Sequence, residues 1–266
     1  MIPCIVVKGD MVVQSFFFKR YLPIGNLKTA IEFFVDWDVD EIIMLDIDAS
    51  KKGYKPRFDL IESVSKKCFV PLTIGGGIST IDDIRDVLNA GADKISINTA
   101  AIQNPEFIEQ ARNKMGSQGV TVSVDAKWQK ETNQYEVMIG SGKIKTGLNT
   151  AEWCHKAEKL GAGEIFINSV DRDGSRKGYD IDLLKTVSNS VQIPVIACGG
   201  VGRVNHLSEA ITQGGCQAVS AANIFQHTEH STIAAKAHLK YVGIDIRIST
   251  QVKYESFQFD HLGRPL

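Results

Sequence analysis

The sequence has no excess charge of either sign and no long apolar segment. Its 266 residues include 30 lysines and arginines against 31 aspartates and glutamates, a formal net charge of -1. This balance excludes a global field that would draw the chain to nucleic acid or to an anionic membrane. No run approaches the roughly 18 apolar residues of a membrane span, and no basic segment followed by an apolar one forms a secretory signal. We therefore expect a cytoplasmic protein with no nucleic-acid or membrane partner.

Cysteine is scarce and scattered. The five cysteines are odd in number and contain no C-x-x-C pair; they are Cys4, Cys68, Cys154, Cys198 and Cys216. Their distribution favours a reducing compartment and argues against a disulfide framework or a structural zinc site. The six histidines form no pair at a convincing ligand spacing with a carboxylate. We expect neither a metal ion nor a cofactor.

Short runs rich in valine and isoleucine alternate with helical stretches, which is the pattern of a parallel sheet built from strand–helix units. The length suits either two domains of about 130 residues or one barrel of about 250. Helical periodicity is clearest over 81–90, after the capping candidates Ser79 and Thr80, and over 150–160, before Gly161. Eight strands are predicted near residues 2–7, 41–46, 70–74, 94–97, 120–125, 164–168, 194–197 and 218–221.

An internal repeat decides between these architectures. The segment VPLTIGGG at 70–77 aligns with IPVIACGG at 193–200, and the same offset carries Glu41 onto Glu164. An open sheet has no need of such a duplication, whereas a barrel closes from two equal halves. We predict an α/β fold of one domain, a (βα)8 TIM barrel with half-barrels at about 1–115 and 116–245 and a tail over 246–266.

Two glycine-rich loops occupy equivalent positions in the two halves. The first set is Gly76 and Gly77 with Asn98 and Thr99, and the second is Gly199 and Gly200 with Asn223. Glycines let backbone N–H groups turn toward a ligand, and a following helix N-terminus adds partial positive charge. Each set is therefore a candidate phosphate cradle, although glycines that only make tight turns would give the same pattern.

Carboxylates are expected at the mouth of the barrel, where the strands end. Asp125 ends an apolar strand and can act as a general acid or base if burial tunes its pKa; a cap or a salt bridge is the structural alternative. Asp173 lies near the same rim. Duplication would supply a second carboxylate at the end of the first strand, but Val6 stands there. Valine cannot transfer a proton.

A second polar group is predicted at the opposite end of the barrel. Glu41, Lys94 and Glu164 begin alternate strands, and the repeat maps Lys94 onto Gln217. Alternate strands contribute to one interior layer, so these four side chains should meet as a ring at the floor. Charged residues enter a packed interior only when paired. The ring is either a salt-bridged plug or a gate for a small polar molecule.

Together these residues resemble the cyclase subunit of imidazole glycerol phosphate synthase, the barrel protein of histidine biosynthesis. The resemblance spans nearly all of residues 2–245. It is most specific at LDIDAS (45–50), GGGI (75–78), GADKISINTAA (91–101), GSQ (116–118), GAGE (161–164) and DRDG (171–174).

The resemblance implies a partner and a substrate class. In that family a glutaminase subunit docks on the floor of the barrel, and its ammonia passes through to a doubly phosphorylated substrate, whose imidazole ring is closed by lyase chemistry. The resemblance implies that Glu41, Lys94 and Glu164 form the ammonia gate and that Asp93 faces the glutaminase. It also implies that Asp125 is one of two catalytic aspartates.

Three departures from the family pattern argue against the usual reaction. Val6 replaces the other catalytic aspartate, Gln14 replaces a lysine of the first loop, and the arginine expected before the first strand has no counterpart. General acid–base catalysis typically contributes about 10²–10⁴-fold, so ring closure should be feeble. Cys198 and Ala222 in the second cradle are consistent with a ligand whose distal phosphate is lost or changed.

The sequence therefore favours a paralogue hypothesis. Here the barrel forms a heterodimer with a glutaminase and serves amidation or amidination of a surface-polysaccharide sugar, on a phosphorylated or nucleotide-linked substrate. The hypothesis allows a third amidotransferase component that holds the sugar. One alternative is a working histidine-pathway cyclase in which Asp125, with Asp173 and water, covers for the missing group. Another is a noncatalytic scaffold that binds a partner and a phosphorylated effector.

Overall fold

The structure is a computed structural model that describes residues 1–226, 231–249, 254 and 257–260. Most of the predicted tail over 246–266 therefore lies outside the described residues. Among the described residues, no helix is long and apolar enough to cross a membrane.

Eight parallel strands close into a barrel. Each strand pairs with its neighbour in the order β1-β4-β5-β6-β7-β10-β11-β12, and β12 pairs again with β1. This closure confirms the predicted (βα)8 fold, and the eight barrel strands lie within a few residues of the predicted ones. The described residues contain the strands β1 (Ile2–Lys8), β2 (Met11–Phe16), β3 (Arg20–Gly25), β4 (Ile42–Asp46), β5 (Leu72–Gly75), β6 (Lys94–Ile97), β7 (Val120–Gln129), β8 (Gln134–Ile139), β9 (Ile144–Asn149), β10 (Glu164–Ser169), β11 (Val195–Cys198) and β12 (Ala218–Ala221).

Helices surround the barrel, and the two stretches with the clearest helical periodicity form helices as predicted. Thr80 and Asp83 form a reciprocal capping box, and Asn149 caps another helix that ends at Gly161 in the left-handed conformation. Within the described residues the α-helices are α1 (Leu27–Asp36), α2 (Ala49–Lys52), α3 (Phe58–Ser65), α4 (Ile81–Asn89), α5 (Thr99–Gln103), α6 (Glu106–Met115), α7 (Thr150–Leu160), α8 (Ile181–Ser188), α9 (Asn205–Thr212) and α10 (Thr232–Tyr241).

Two antiparallel additions rise from the mouth. Strands β2 and β3 form a hairpin directly after β1, and β7 continues past the barrel to pair with β8, which pairs with β9. Neither addition is among the eight strands predicted from the sequence. The turn of the β2–β3 hairpin holds Phe17 and Phe18 at a φ of 55°, a left-handed conformation that is uncommon for bulky residues.

The barrel interior is apolar on one side and polar on the other. Apolar side chains from β1, β4, β10 and β11 form a cluster of Ile2, Cys4, Ile43, Phe166, Ile196 and Cys198. Hydroxyls from β5, β6 and β7 are buried instead, and the Oγ atoms of Ser96 and Ser123 lie 2.6 Å apart. Thr73 and Thr121 extend this polar side to the floor. Along β7, the buried hydroxyls of Thr121 and Ser123 therefore lie between the floor and the mouth.

Candidate functional site

Three charged side chains meet at the floor as the sequence predicts. The Lys94 Nζ atom lies 2.9 Å from a carboxylate oxygen of Glu41 and 2.9 Å from one of Glu164. Burial opposes the charge of Lys94, but its hydrogen bonds to Glu164 and Glu41 outweigh this effect and raise the pKa of the ammonium. Thr73 and Thr121 donate to the remaining oxygens of Glu41 and Glu164, at 2.7 and 3.0 Å. The ring is therefore paired and hydrogen-bonded throughout.

The prediction that Gln217 completes this ring is wrong. Gln217 precedes β12 and is exposed, and its amide accepts from the backbone of Val195 and donates to the backbone of Gly215. Asp93 lies beside the ring. It is exposed on the floor, and its carboxylate accepts a hydrogen bond from the Leu72 N–H.

Asp125 lies at the mouth, where the sequence predicts a general acid or base. Its side chain is partly buried and accepts a 2.9 Å hydrogen bond from the Asn98 amide. Burial raises the pKa of Asp125 from 3.8 to about 7, and the charge of Asp173 adds to this increase, while the Asn98 hydrogen bond opposes it. A carboxyl group with a pKa near neutrality can both accept and donate a proton at physiological pH.

Asp173 lies near Asp125 but anchors the β2–β3 hairpin. Its carboxylate accepts hydrogen bonds from the Ser15 hydroxyl at 2.7 Å and from the Phe18 N–H at 3.0 Å. The Phe17 N–H donates to the Asp173 carbonyl oxygen. Burial raises the pKa of Asp173, although these carboxylate hydrogen bonds oppose the increase. Sequence reasoning missed Ser15, because it lies 158 positions from Asp173 and only the folded barrel brings the two together.

Val6 lies inside the mouth, where the repeat would place a second carboxylate. It is in register with Leu45 of β4, and both side chains pack against the interior apolar cluster. The neighbouring Gln14 is buried and donates to the Asn223 carbonyl oxygen at 3.4 Å. Aliphatic surface thus replaces a proton-transfer group at the end of β1.

The first glycine set requires its glycines for packing. Gly76 and Gly77 have φ angles of 107° and 77°. A Cβ atom on Gly76 would lie 2.3 Å from the Asp46 carbonyl oxygen, which no side chain tolerates. Asn98 uses its amide nitrogen to bind Asp125, while its oxygen is buried without a partner. Thr99 begins α5 directly after Asn98.

The second set has the same backbone geometry. Gly199 and Gly200 have φ angles of 92° and 102°, and a Cβ atom on Gly200 would lie 2.2 Å from the Gly178 carbonyl oxygen. The Asn223 amide donates to the Ser15 carbonyl oxygen at 2.7 Å and so holds the β2–β3 hairpin. Close packing alone accounts for both glycine pairs, and the phosphate role of these residues stays a prediction.

The raised pKa of Asp125 predicts a pH-dependent effect of the Asp125→Asn substitution on stability. The folded state holds the proton more tightly than the unfolded state, so Asp125 destabilises the fold increasingly as pH rises from about 4 to 7. The advantage of Asp125→Asn over the wild type should therefore grow by about 4 kcal/mol between acidic and mildly alkaline pH. Urea unfolding at both pH values measures it. An effect independent of pH would show that folding does not raise the pKa of Asp125.

Comparisons with known proteins agree with this geometry. A family model described as "Histidine biosynthesis protein" matches residues 1–232. A Vibrio vulnificus (strain YJ016) protein with the provisional name imidazole glycerol phosphate synthase subunit hisF2 is 59% identical over 265 residues, covering 100% of this chain and 97% of that protein. Imidazole glycerol phosphate synthase subunit HisF from Clostridium botulinum (strain 657 / Type Ba4) is 42% identical over 248 residues, covering 93% of this chain and 98% of that protein. The chain therefore belongs to the histidine biosynthesis protein family, as a barrel of the type of the imidazole glycerol phosphate synthase cyclase subunit.

Proposed function

We propose that this barrel receives ammonia from a glutaminase at its floor and delivers it at its mouth to an acceptor other than the histidine-pathway intermediate. The acceptor in this proposal is a sugar destined for glutamine-dependent amidation or amidination in a bacterial surface polysaccharide. A third component that holds the sugar is compatible with it. The observation that carries the proposal is Val6, which puts an aliphatic side chain at the mouth opposite a titratable Asp125.

The floor supports the first half of the proposal. Lys94 carries its positive charge between Glu41 and Glu164, and the exposed Asp93 lies next to it in the chain. A partner on the floor would therefore meet a polar, charged surface around the entrance. Above the ring, the hydroxyl pair of Ser96 and Ser123 can donate to or accept from ammonia, which itself both donates and accepts hydrogen bonds.

The mouth supports the second half. Ring closure by acid–base catalysis needs one group that accepts a proton and another that donates one. Asp125 can supply one of these roles, but the carboxylate of Asp173 is held by Ser15 and Phe18. Transfer of ammonia to a carbon electrophile on a separately activated acceptor needs only one base near the attacking nitrogen, and Asp125 meets that requirement.

A working histidine-pathway cyclase is the second candidate. Two observations favour it: the pKa of about 7 at Asp125, and the match to nearly the whole length of the Clostridium botulinum subunit. In this candidate Asp173 would leave the hairpin and act with water as the second proton carrier.

One pair of assays separates the candidates. The barrel is mixed with a glutaminase subunit from the same organism, and glutamate release is followed. The histidine-pathway intermediate is then supplied with ammonium, and its consumption is compared with that by the Clostridium botulinum subunit. We expect glutamate release to rise at least about 10-fold. We expect the cyclisation rate to stay at or below about 1% of the reference rate, because one proton-transfer group is absent. Cyclisation close to the reference would establish the second candidate, and unchanged glutamate release would refute ammonia delivery.

A further inference from the structure

A groove on the rim of the mouth lies outside the site described above. Its volume is about 480 Å³, within the size range of small-molecule sites. It lies between the end of β7, the start of β8 and the first turns of α7 and α8. We call it the rim groove; the residues that matter for its chemistry are Trp128, Asn133, Gln134, Tyr135, Asn149 and Asp182.

One wall of the rim groove is aromatic and held in place. Trp128 is 37% exposed although it is a large apolar side chain. Its ring meets that of Tyr135 edge to face, with centroids 4.8 Å apart. The Tyr135 hydroxyl donates to the Asp180 carboxylate at 2.7 Å and fixes the Tyr135 ring. An apolar face of a ligand could therefore bind here with little loss of side-chain freedom.

The other wall carries amides and a carboxylate and no basic group. The Asn149 amide donates to the Gln134 amide oxygen at 3.1 Å. Within the described part of the chain, neither Asn133 nor Asp182 makes a side-chain hydrogen bond or ion pair, and no lysine, arginine or histidine lines the groove. Amides both donate and accept hydrogen bonds, whereas an unpaired carboxylate repels anions. The polar wall thus suits hydroxyl groups and disfavours phosphate.

We propose that the rim groove binds a pyranose sugar. Such a ring presents an axial C–H face to the Trp128 ring and equatorial hydroxyls to Asn133 and Asp182. The groove lies beside the mouth. Trp128 follows Asp125 by three residues along β7, so the two side chains lie on opposite faces of the strand. The Trp128 backbone N–H donates to Asp171 at 3.0 Å. A sugar bound here would be held at the rim, outside the barrel interior that Asp125 faces.

This inference deepens the proposed function. The identity of the bound sugar as the ammonia acceptor rests on the proposed function, but sugar binding by the rim groove does not. The probes are methyl N-acetyl-β-D-glucosaminide and, for comparison, uridine and inorganic phosphate. Saturation-transfer NMR with the purified full chain measures binding of the sugar and of uridine, and the sugar signal in the presence of inorganic phosphate reports whether phosphate competes. We expect signals from the sugar ring protons that weaken at least about 10-fold in Trp128→Ala and about 3-fold in Asp182→Asn, and weaker signals from uridine.

Phe69→Ala is the matched control. Phe69 is 83% exposed and precedes β5, so this variant removes an exposed aromatic ring far from the groove and should keep the full sugar signal. Thermal unfolding by circular dichroism confirms that the Trp128→Ala chain is folded, and Trp128→Phe, which keeps an aromatic face, should retain most of the signal. Sugar signals that survive Trp128→Ala, equal losses in Phe69→Ala, or stronger binding of uridine would each overturn the inference. Glutamate release by the glutaminase with the wild-type chain tests the proposed function separately.

Discussion

Replacing Lys94 with methionine is expected to lower the free energy of unfolding by about 3 kcal/mol at neutral pH. Methionine fills much of the volume of the lysine stem but removes the only cation described in the floor ring. The negative charges of Glu41 and Glu164 then face each other at the entrance with no positive charge between them. Each carboxylate still has one oxygen bound to a threonine. Removal of one partner from a buried ion pair costs more than the pair itself contributes, because the remaining charge stays desolvated.

The pH dependence of this loss identifies its cause. Without Lys94, the negative charges of Glu41 and Glu164 repel each other in the folded state, and acid relieves this repulsion by protonating carboxylates. Stability is then lost as pH rises, and the defect of Lys94→Met should shrink toward pH 4. The control is the triple variant Glu41→Gln, Lys94→Met, Glu164→Gln, which removes all three charges and should recover most of the loss. A defect below about 1 kcal/mol at neutral pH would show that water already screens the ring.

The sequence was sufficient to predict the barrel, because two kinds of signal agreed. Runs of valine and isoleucine mark strands that are buried on both sides, as β4 is, and the repeat of GGG at 75–77 as CGG at 198–200 predicts a barrel closed from two halves. The floor ring was predictable from the positions of its residues at the starts of strands. Glu41, Lys94 and Glu164 stand at the start of alternate strands, and the register of a parallel barrel brings such positions into one layer.

The parts that could not be predicted depend on long-range contacts or on unusual backbone. The β2–β3 hairpin turns at Phe17 and Phe18, where the expected glycine or asparagine of such a turn is absent. Its anchoring on Asp173 involves a hydrogen bond across more than half the chain. The prediction for Gln217 was wrong because the repeat indicates which positions are equivalent in the two halves but not where each side chain points. The side chain lies just before β12, where backbone groups of Val195 and Gly215 compete for its amide.

Replacing Val6 with aspartate is expected to raise consumption of the histidine-pathway intermediate, supplied with ammonium, by about 10–100-fold over the wild type. The substitution restores a carboxyl group at the end of β1, inside the mouth that holds Asp125. Two carboxyl groups across one mouth disfavour each other's ionisation, so one of them stays protonated to a higher pH. One group then holds a proton while the other accepts one, as ring closure requires. The gain stays below the full contribution of general acid–base catalysis because Gln14 is not a lysine.

Val6→Asn is the matched control for this gain. Asparagine has nearly the same shape and polarity as aspartate but cannot exchange a proton near neutral pH, so it should leave consumption at the wild-type level. The double variant Val6→Asp, Asp125→Asn should lose the gain, because only one proton carrier remains. Equal gains in Val6→Asp and Val6→Asn would assign the effect to polarity. A wild-type rate that Val6→Asp leaves unchanged and Asp125→Asn abolishes would mean that the mouth already contains its second proton carrier, and Asp173 would then have to leave Ser15 and Phe18 during each turnover.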